Sequence, residues 1–204
     1  MTTTPDNAVP VLNIANVLTV VRILLVPFFI WFFLVDDARG GLWRWLAVAV
    51  FVVAIYTDKL DGDLARSRGL ITDFGKIADP IADKLLIGSA LVVLSVVGEL
   101  WWWVTVLILA RELGITVLRF AVIRYGVMPA SRGGKLKTVV QTVAILLLLV
   151  PLQVLLGDWA WWIAASVMTL AVAITVVTGI DYILQALRLR SSARNAGPLT
   201  RERG

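Results

Sequence analysis

Long apolar stretches fill most of this chain, and the segments between them are short. The apolar runs lie at about residues 17–35, 42–56, 77–97, 100–123, 138–156 and 159–180, and the breaks hold most of the charges. A helix crossing a bilayer takes about 20 apolar residues. The run at 42–56 is short for this, so its helix is expected to continue through Thr57 and Asp58 to about Arg66, with its charged end outside the membrane. With 59% hydrophobic residues and a mean hydropathy of +0.88, the chain reads as an all-α integral membrane protein with six transmembrane helices.

Charge and tryptophan orient those helices. Lys and Arg concentrate between the second and third runs, between the fourth and fifth, and after the sixth. The breaks around Gly98-Glu99 and Gly157-Asp158 hold none. Basic residues collect on the cytoplasmic side of membrane proteins, so both termini are expected there, in a multi-pass protein of the cell membrane. Trp43, Trp45, Trp101, Trp102, Trp103, Trp159, Trp161 and Trp162 fall at the opposite ends, as an aromatic belt at one interface would; Trp31 lies inside the first run near the same side. Residues 1–12 lack a positive n-region and read as a flexible segment, not a cleavable signal. Residues 13–190 read as the membrane domain, and 191–204 as a disordered basic tail.

Composition removes several kinds of chemistry. The chain has no cysteine, which excludes disulfides and thiolate metal sites, and no histidine, so a general base must be Asp, Glu, Lys or Tyr. The net charge of +5 suits anionic headgroups and phosphorylated substrates. No nucleic-acid module is recognisable, and no nucleic-acid partner is expected.

The densest chemistry lies between the second and third runs. Asp58 and Asp61 are three residues apart and Asp79 and Asp83 four apart, so each pair shares a helix face. Four carboxylates gathered near a membrane repel one another and are costly to desolvate, and a divalent cation removes both problems. Oxygen-only ligands suit Mg²⁺, Mn²⁺ or Ca²⁺. Taken singly, each aspartate has a plainer reading. Asp79 before Pro80 is a good helix N-cap, and Asp58 and Asp61 could be solvated residues at a span's end. Residues 67–75, with two glycines, read as a turn.

Taken together, Asp58-x-x-Asp61-Gly62-x-x-Ala65-Arg66-x(8)-Gly75-x(3)-Asp79-x(3)-Asp83 resembles the complete signature of the CDP-alcohol phosphotransferases, with all eight fixed positions present over 26 residues. These are membrane enzymes that displace CMP from a CDP-linked lipid or alcohol with a hydroxyl nucleophile. The resemblance implies a six-helix fold with a cytoplasmic-side active site. It implies two Mg²⁺ or Mn²⁺ ions held by Asp58, Asp61, Asp79 and Asp83, with Asp83 also the general base. It further implies CDP binding by Asp61, Gly62, Ala65, Arg66 and Gly75, and a homodimer in the lipid bilayer. Gly62 and Ala65 would let the nucleotide approach the backbone. Gly75 would bring the second and third helices together or permit a tight turn, and Arg66 would offer a charged fork to the diphosphate.

Other segments bear on the acceptor. Asn16-Val-Leu-Thr19-Val-Val-Arg22, Ala78-Asp79-Pro80, Ala82-Asp83-Lys84, Arg111-Glu112 and Gly134-Lys135-Leu-Lys137-Thr138-Val-Val-Gln141 resemble the phosphatidylglycerophosphate synthase branch. That branch transfers the phosphatidyl group of CDP-diacylglycerol to glycerol 3-phosphate, giving phosphatidylglycerophosphate and CMP. Arg111 and Arg119 inside an apolar run, with Lys135 and Lys137 at the start of the next, are then the candidates for the acceptor phosphate. Alternatively, Arg111 pairs with Glu112 and the lysines reach lipid headgroups. Arg22 reads as a headgroup contact. Phosphatidylinositol phosphate synthase and a cardiolipin synthase of the same family remain open, as does a divalent-cation transporter, to which acidic residues in a helix bundle would also be suited.

Overall fold

The computed structural model describes residues 13–36, 39–67, 72–122 and 132–195, and all of its regular structure is helical. In chain order the helices are α1 (Ile14–Asp36), α2 (Leu42–Ser67), α3 (Asp73–Val96), α4 (Trp102–Val122), α5 (Arg132–Leu149), α6 (Leu152–Leu156) and α7 (Trp159–Asn195). They form two compact units, Met1–Leu100 with Leu149–Leu155, and Trp101–Leu148 with Leu156–Gly204.

In the first unit α1 packs against both α2 and α3, and its sequence explains how. Its buried residues include Ala15, Thr19, Arg22, Val26, Phe29, Phe33 and Asp36, which alternate steps of four and three along the helix. That spacing keeps one stripe facing its neighbours for the helix's whole length. The matching stripe of α2 is Arg44, Ala47, Phe51, Ala54 and Asp61, all buried. At mid-height the contact is aromatic, with Phe29 and Phe51 ring centroids 5.5 Å apart and Phe29 and Phe33 5.9 Å apart. From α3, Ala78, Ala82, Leu86, Ala90 and Leu94 are buried, and the alanines permit close approach of a neighbouring backbone. Polar residues sit only at the two ends of the α1 stripe, which is where each end does something specific.

At one end Asp36 is buried. Its carboxylate accepts from the backbone N–H of Gly40 at 2.8 Å, Gly41 at 2.9 Å and Arg44 at 3.2 Å, which caps the start of α2. The Arg44 side chain lies 4.0 Å from the Phe33 ring centre, donates to the Leu149 carbonyl at 2.6 Å and pairs with Glu99. Buried charge is thus matched by charge or carbonyl, as burial requires.

The helices differ from the expected spans in four places: α5 begins at Arg132, six residues before the expected run, and the other three have a local cause. The run at 138–156 is not one helix: α5 stops at Leu149 and α6 resumes at Leu152, because Pro151 has no N–H and its ring clashes with the preceding turn. α3 begins at Asp73, inside the expected turn, capped by Thr72, so Pro80 lies within the helix and Asp79 is not an N-cap. α7 continues from the sixth run to Asn195, so 191–195 are helical and not part of a disordered tail; residues 1–12 and 196–204 lie outside the described residues.

Two helices, α1 and residues 159–189 of α7, are long and apolar enough to cross a membrane. The others carry charges within their length, such as Asp58 and Asp61 in α2 and Arg111, Glu112 and Arg119 in α4. Their outward faces are nonetheless apolar, with Val53, Leu85, Val117, Phe120 and Val139 all exposed. Such a surface suits lipid and not water.

Gly40 has φ +69°, and a Cβ there would lie 2.8 Å from Val154 Cγ2 and 3.0 Å from Pro151 Cβ. Gly40→Ala is therefore expected to lower stability by about 2–3 kcal/mol, from left-handed backbone and overpacking together. Gly98→Ala, at φ +82° with nothing within 4 Å of its Cβ, should cost only the backbone part, about 1 kcal/mol. Equal thermal shifts for the two variants in detergent would remove the packing contribution.

Candidate active site

The other end of the α1 stripe meets the aspartates. Arg22 has no exposed side-chain surface, and its guanidinium bridges two carboxylates of α2. One terminal nitrogen donates to Asp58 Oδ1 at 2.5 Å and the other donates to Asp61 Oδ2. Asp58 and Asp61 continue the packing stripe of α2 by steps of four and three from Ala54, so the geometry that buries Phe51 also turns these carboxylates toward α1. Arg22 was expected at a lipid headgroup; its position on the buried stripe, between Thr19 and Val26, is what places it here instead.

One turn before Arg22, the Thr19 hydroxyl lies 2.6 Å from Asp79 Oδ1, 3.1 Å from the Ala15 carbonyl and 3.4 Å from Asp61 Oδ2. A hydroxyl carries one proton, and the shortest contact assigns it to Asp79. One turn earlier again, Asn16 and Thr72 are joined through their side chains, at 2.8 Å from Asn16 Nδ2 to Thr72 Oγ1. Thr72 Oγ1 also accepts from the Gly75 N–H at 3.1 Å and so caps α3. Asn16, Thr19 and Arg22 thus meet the start of α3, Asp79, and Asp58 with Asp61 in succession.

Gly75 has a clear steric reason. A Cβ there would fall 2.9 Å from Asn16 Oδ1 and 3.4 Å from Thr72 Oγ1. It lies in the first turn of α3 and lets that helix close on α1. Gly62 follows Asp61 on α2 and is half-buried; Ala65 and Arg66 are in the last turns of α2, and their side chains lie outside the described residues.

The structure therefore brings Asp58, Asp61 and Asp79 to one network. Asp83 stands a turn further along α3 and is exposed. Asp61 lies beyond the apolar run of α2, and its carboxyl is raised to about 6: burial raises it most, Arg22 lowers it, and Asp58 and Asp79 raise it. Such a carboxyl is best kept ionised by added positive charge. Among the described residues no three acidic side chains are set so as to hold a metal ion. The donor chemistry nonetheless fits a hard divalent cation: carboxylate and hydroxyl oxygens only, with Arg22 engaging one oxygen each of Asp58 and Asp61, which leaves each carboxylate a second oxygen.

The basic residues belong to the second unit. Arg111 of α4 donates to Glu112 at 3.3 Å and to Thr178 of α7 at 3.0 Å, and buried Lys137 of α5 pairs with the same Glu112. The pairing of Arg111 with Glu112 is the plainer of the two readings that the sequence allowed. Exposed Arg119 donates to the Tyr182 hydroxyl at 3.0 Å, and Lys135 is exposed. Tyr182, Thr178 and Gly179 of α7, the last with room for a Cβ only 3.4 Å from Arg111 Cγ, were not legible as partners, because nothing in the sixth run or its continuation marks them off from their neighbours.

A family model described as CDP-alcohol phosphatidyltransferase matches residues 12–178, which include the whole aspartate network. The chain belongs to this family. It is 53% identical over 176 residues to a protein of Mycobacterium tuberculosis (strain H37Rv) named "Probable phosphatidylglycerophosphate synthase", covering 86% of this chain and 82% of that one. It is 36% identical to the CDP-diacylglycerol--glycerol-3-phosphate 3-phosphatidyltransferase of Rickettsia typhi, over 83% of this chain and 94% of that one. It is 34% identical to the enzyme of the same name from Bacillus subtilis (strain 168), over 83% and 93%. Membership of this phospholipid-synthesis family, together with two span-length apolar helices, makes the chain a membrane protein.

Thr72→Val removes both the cap of α3 and the partner of Asn16 and is expected to lower stability by about 2 kcal/mol. Thr72→Ser should retain most of it. The check is thermal unfolding in detergent of the two variants side by side; a loss in Thr72→Ser with none in Thr72→Val would show that the methyl group and not the hydroxyl matters.

Proposed function

We infer that this chain transfers the phosphatidyl group of CDP-diacylglycerol to glycerol 3-phosphate, releasing CMP and forming phosphatidylglycerophosphate. The observation that carries this reading is the complete eight-position signature, three of whose aspartates meet in one network at the end of the α1 stripe. The names of the similar proteins support the acceptor.

In this reading Asp58, Asp61, Asp79 and Asp83 hold two Mg²⁺ or Mn²⁺ ions. Ions bound there would neutralise diphosphate charge and stabilise the departing phosphate. Asp83, the exposed carboxylate, takes the proton of the acceptor's primary hydroxyl as its oxygen forms a bond to the phosphatidyl phosphorus. The bond from that phosphorus to the CMP phosphate breaks, and CMP leaves. With no histidine in the chain, a carboxylate is the natural base. Gly62 and Ala65 keep bulk away from the nucleotide, and Arg66 binds its diphosphate.

The acceptor phosphate is bound by the basic residues of the second unit. Arg111 and Lys137 both lie against Glu112, which gathers two basic side chains at one place. Arg119 is exposed and donates to the Tyr182 hydroxyl, Lys135 is exposed, and both can add positive charge there. The charge and tryptophan patterns support six spans, with the aspartate face and both termini on the cytoplasmic side of the cell membrane. A homodimer is expected from the family resemblance.

The deciding experiment is CMP release by purified protein in detergent with CDP-diacylglycerol and Mg²⁺. Glycerol 3-phosphate, inositol 1-phosphate, free inositol and phosphatidylglycerol are supplied one at a time. Release should depend on glycerol 3-phosphate; release with another alcohol would keep the aspartate chemistry and discard the acceptor. Asp83→Asn should abolish turnover in folded protein, and wild-type rates would remove Asp83 as the base. Arg119→Ala should raise KM for glycerol 3-phosphate more than KM for CDP-diacylglycerol, by about tenfold for the loss of one charge-assisted bond. Equal effects on both substrates would undo its assignment.

A further inference from the structure

Arg22 lies outside the aspartate signature, yet it is the residue most deeply engaged with it. It has no solvent-exposed side-chain surface, it spans Asp58 and Asp61, and its Nε is buried without a hydrogen-bond partner among the described residues. A buried guanidinium with an unsatisfied donor is costly. Packing alone would not select it at a stripe position otherwise filled by Val26, Phe29 and Phe33. What the position gains is a fixed positive charge in contact with two carboxylates that repel each other.

We propose that Arg22 is a built-in counter-cation that sets how tightly the aspartate face binds its divalent metal. Without metal, it offsets one of the two negative charges of Asp58 and Asp61 and holds the carboxylates at the spacing the helix gives them. With metal, the ion has to share these carboxylates with a charge that cannot leave for solvent, because α1 buries the whole side chain. Like charges so close disfavour each other. Arg22 therefore lowers metal affinity and keeps the ion exchangeable, while keeping the site assembled when it is empty. Arg22 is in this sense a positioning residue: it acts on the metal through the two carboxylates. The inference rests on the reading of the aspartates as metal ligands.

The test is Mn²⁺ binding to purified full-length protein in detergent, followed by electron paramagnetic resonance of free Mn²⁺, together with the thermal midpoint of the metal-free protein. Arg22→Gln should lower the metal-free midpoint and lower the half-saturating Mn²⁺ concentration by about tenfold or more. Arg22→Lys keeps the charge but loses the two-pronged bridge. It should leave Mn²⁺ affinity much nearer to wild type while still lowering the metal-free midpoint. Unchanged or weaker Mn²⁺ binding in folded Arg22→Gln would overturn the proposal, since an arginine that merely supports the fold or orients the carboxylates for metal gives that result. If Arg22→Gln does not fold without metal, Arg22→Met, which fills the space without a charge, is assayed in its place under the same two outcomes. Absence of Mn²⁺ binding by the wild type would remove the metal reading itself, a failure distinct from that of Arg22.

Discussion

A guanidinium sealed from solvent against two carboxylates is the constraint on which the first unit turns. Arg22 can be buried only while Asp58 and Asp61 face it, and those carboxylates face it only while α1 and α2 keep their register. Sliding one helix by a turn would strand the buried charges of Arg22 and Asp61 and also part the Phe29 and Phe51 rings. The electrostatic and the apolar contacts therefore select the same alignment. Breaking a buried pair by removing one partner typically costs about 3–5 kcal/mol, so register here is defended by the site itself.

The second unit follows the same logic with different residues. Glu112 draws Arg111 of its own helix and Lys137 of α5, while Thr178 and Tyr182 of α7 receive Arg111 and Arg119. In both units a polar cluster ties three helices that apolar surface alone would not align, because apolar side chains in a lipid setting have little preference for protein over lipid tails. Charge within these helices is thus a packing device as well as a chemical one.

Much of this could be read in the chain before its structure. The apolar runs gave the helices nearly to their ends, and the continuation of α2 through Asp58 followed from its short apolar run. The aspartate spacing named the family. What could not be read was set by contacts distant in sequence. Arg22 reads as an interfacial residue until its position on the 3–4 stripe is matched with that of Asp58. Thr72 looks like part of a turn until Asn16, 56 positions earlier, is found against it. Gly75 has an ordinary helical conformation, so no backbone rule marks it; only the nearness of Asn16 does. The break at Pro151 is the exception, because proline inside an expected helix is a local signal that the apolar content of the run masked.

That break has a consequence in time. Because Leu149–Leu155 belongs to the same compact unit as the first hundred residues, that unit is discontinuous in the chain. Arg44 takes its carbonyl partner from Leu149, and Gly40 is walled by Pro151 and Val154. During synthesis, α1, α2 and α3 emerge with all four signature aspartates long before these residues are made. The unit that holds the aspartate network can finish only after α4 and α5 have been produced, so the last stage of its assembly waits on the other unit's helices rather than preceding them.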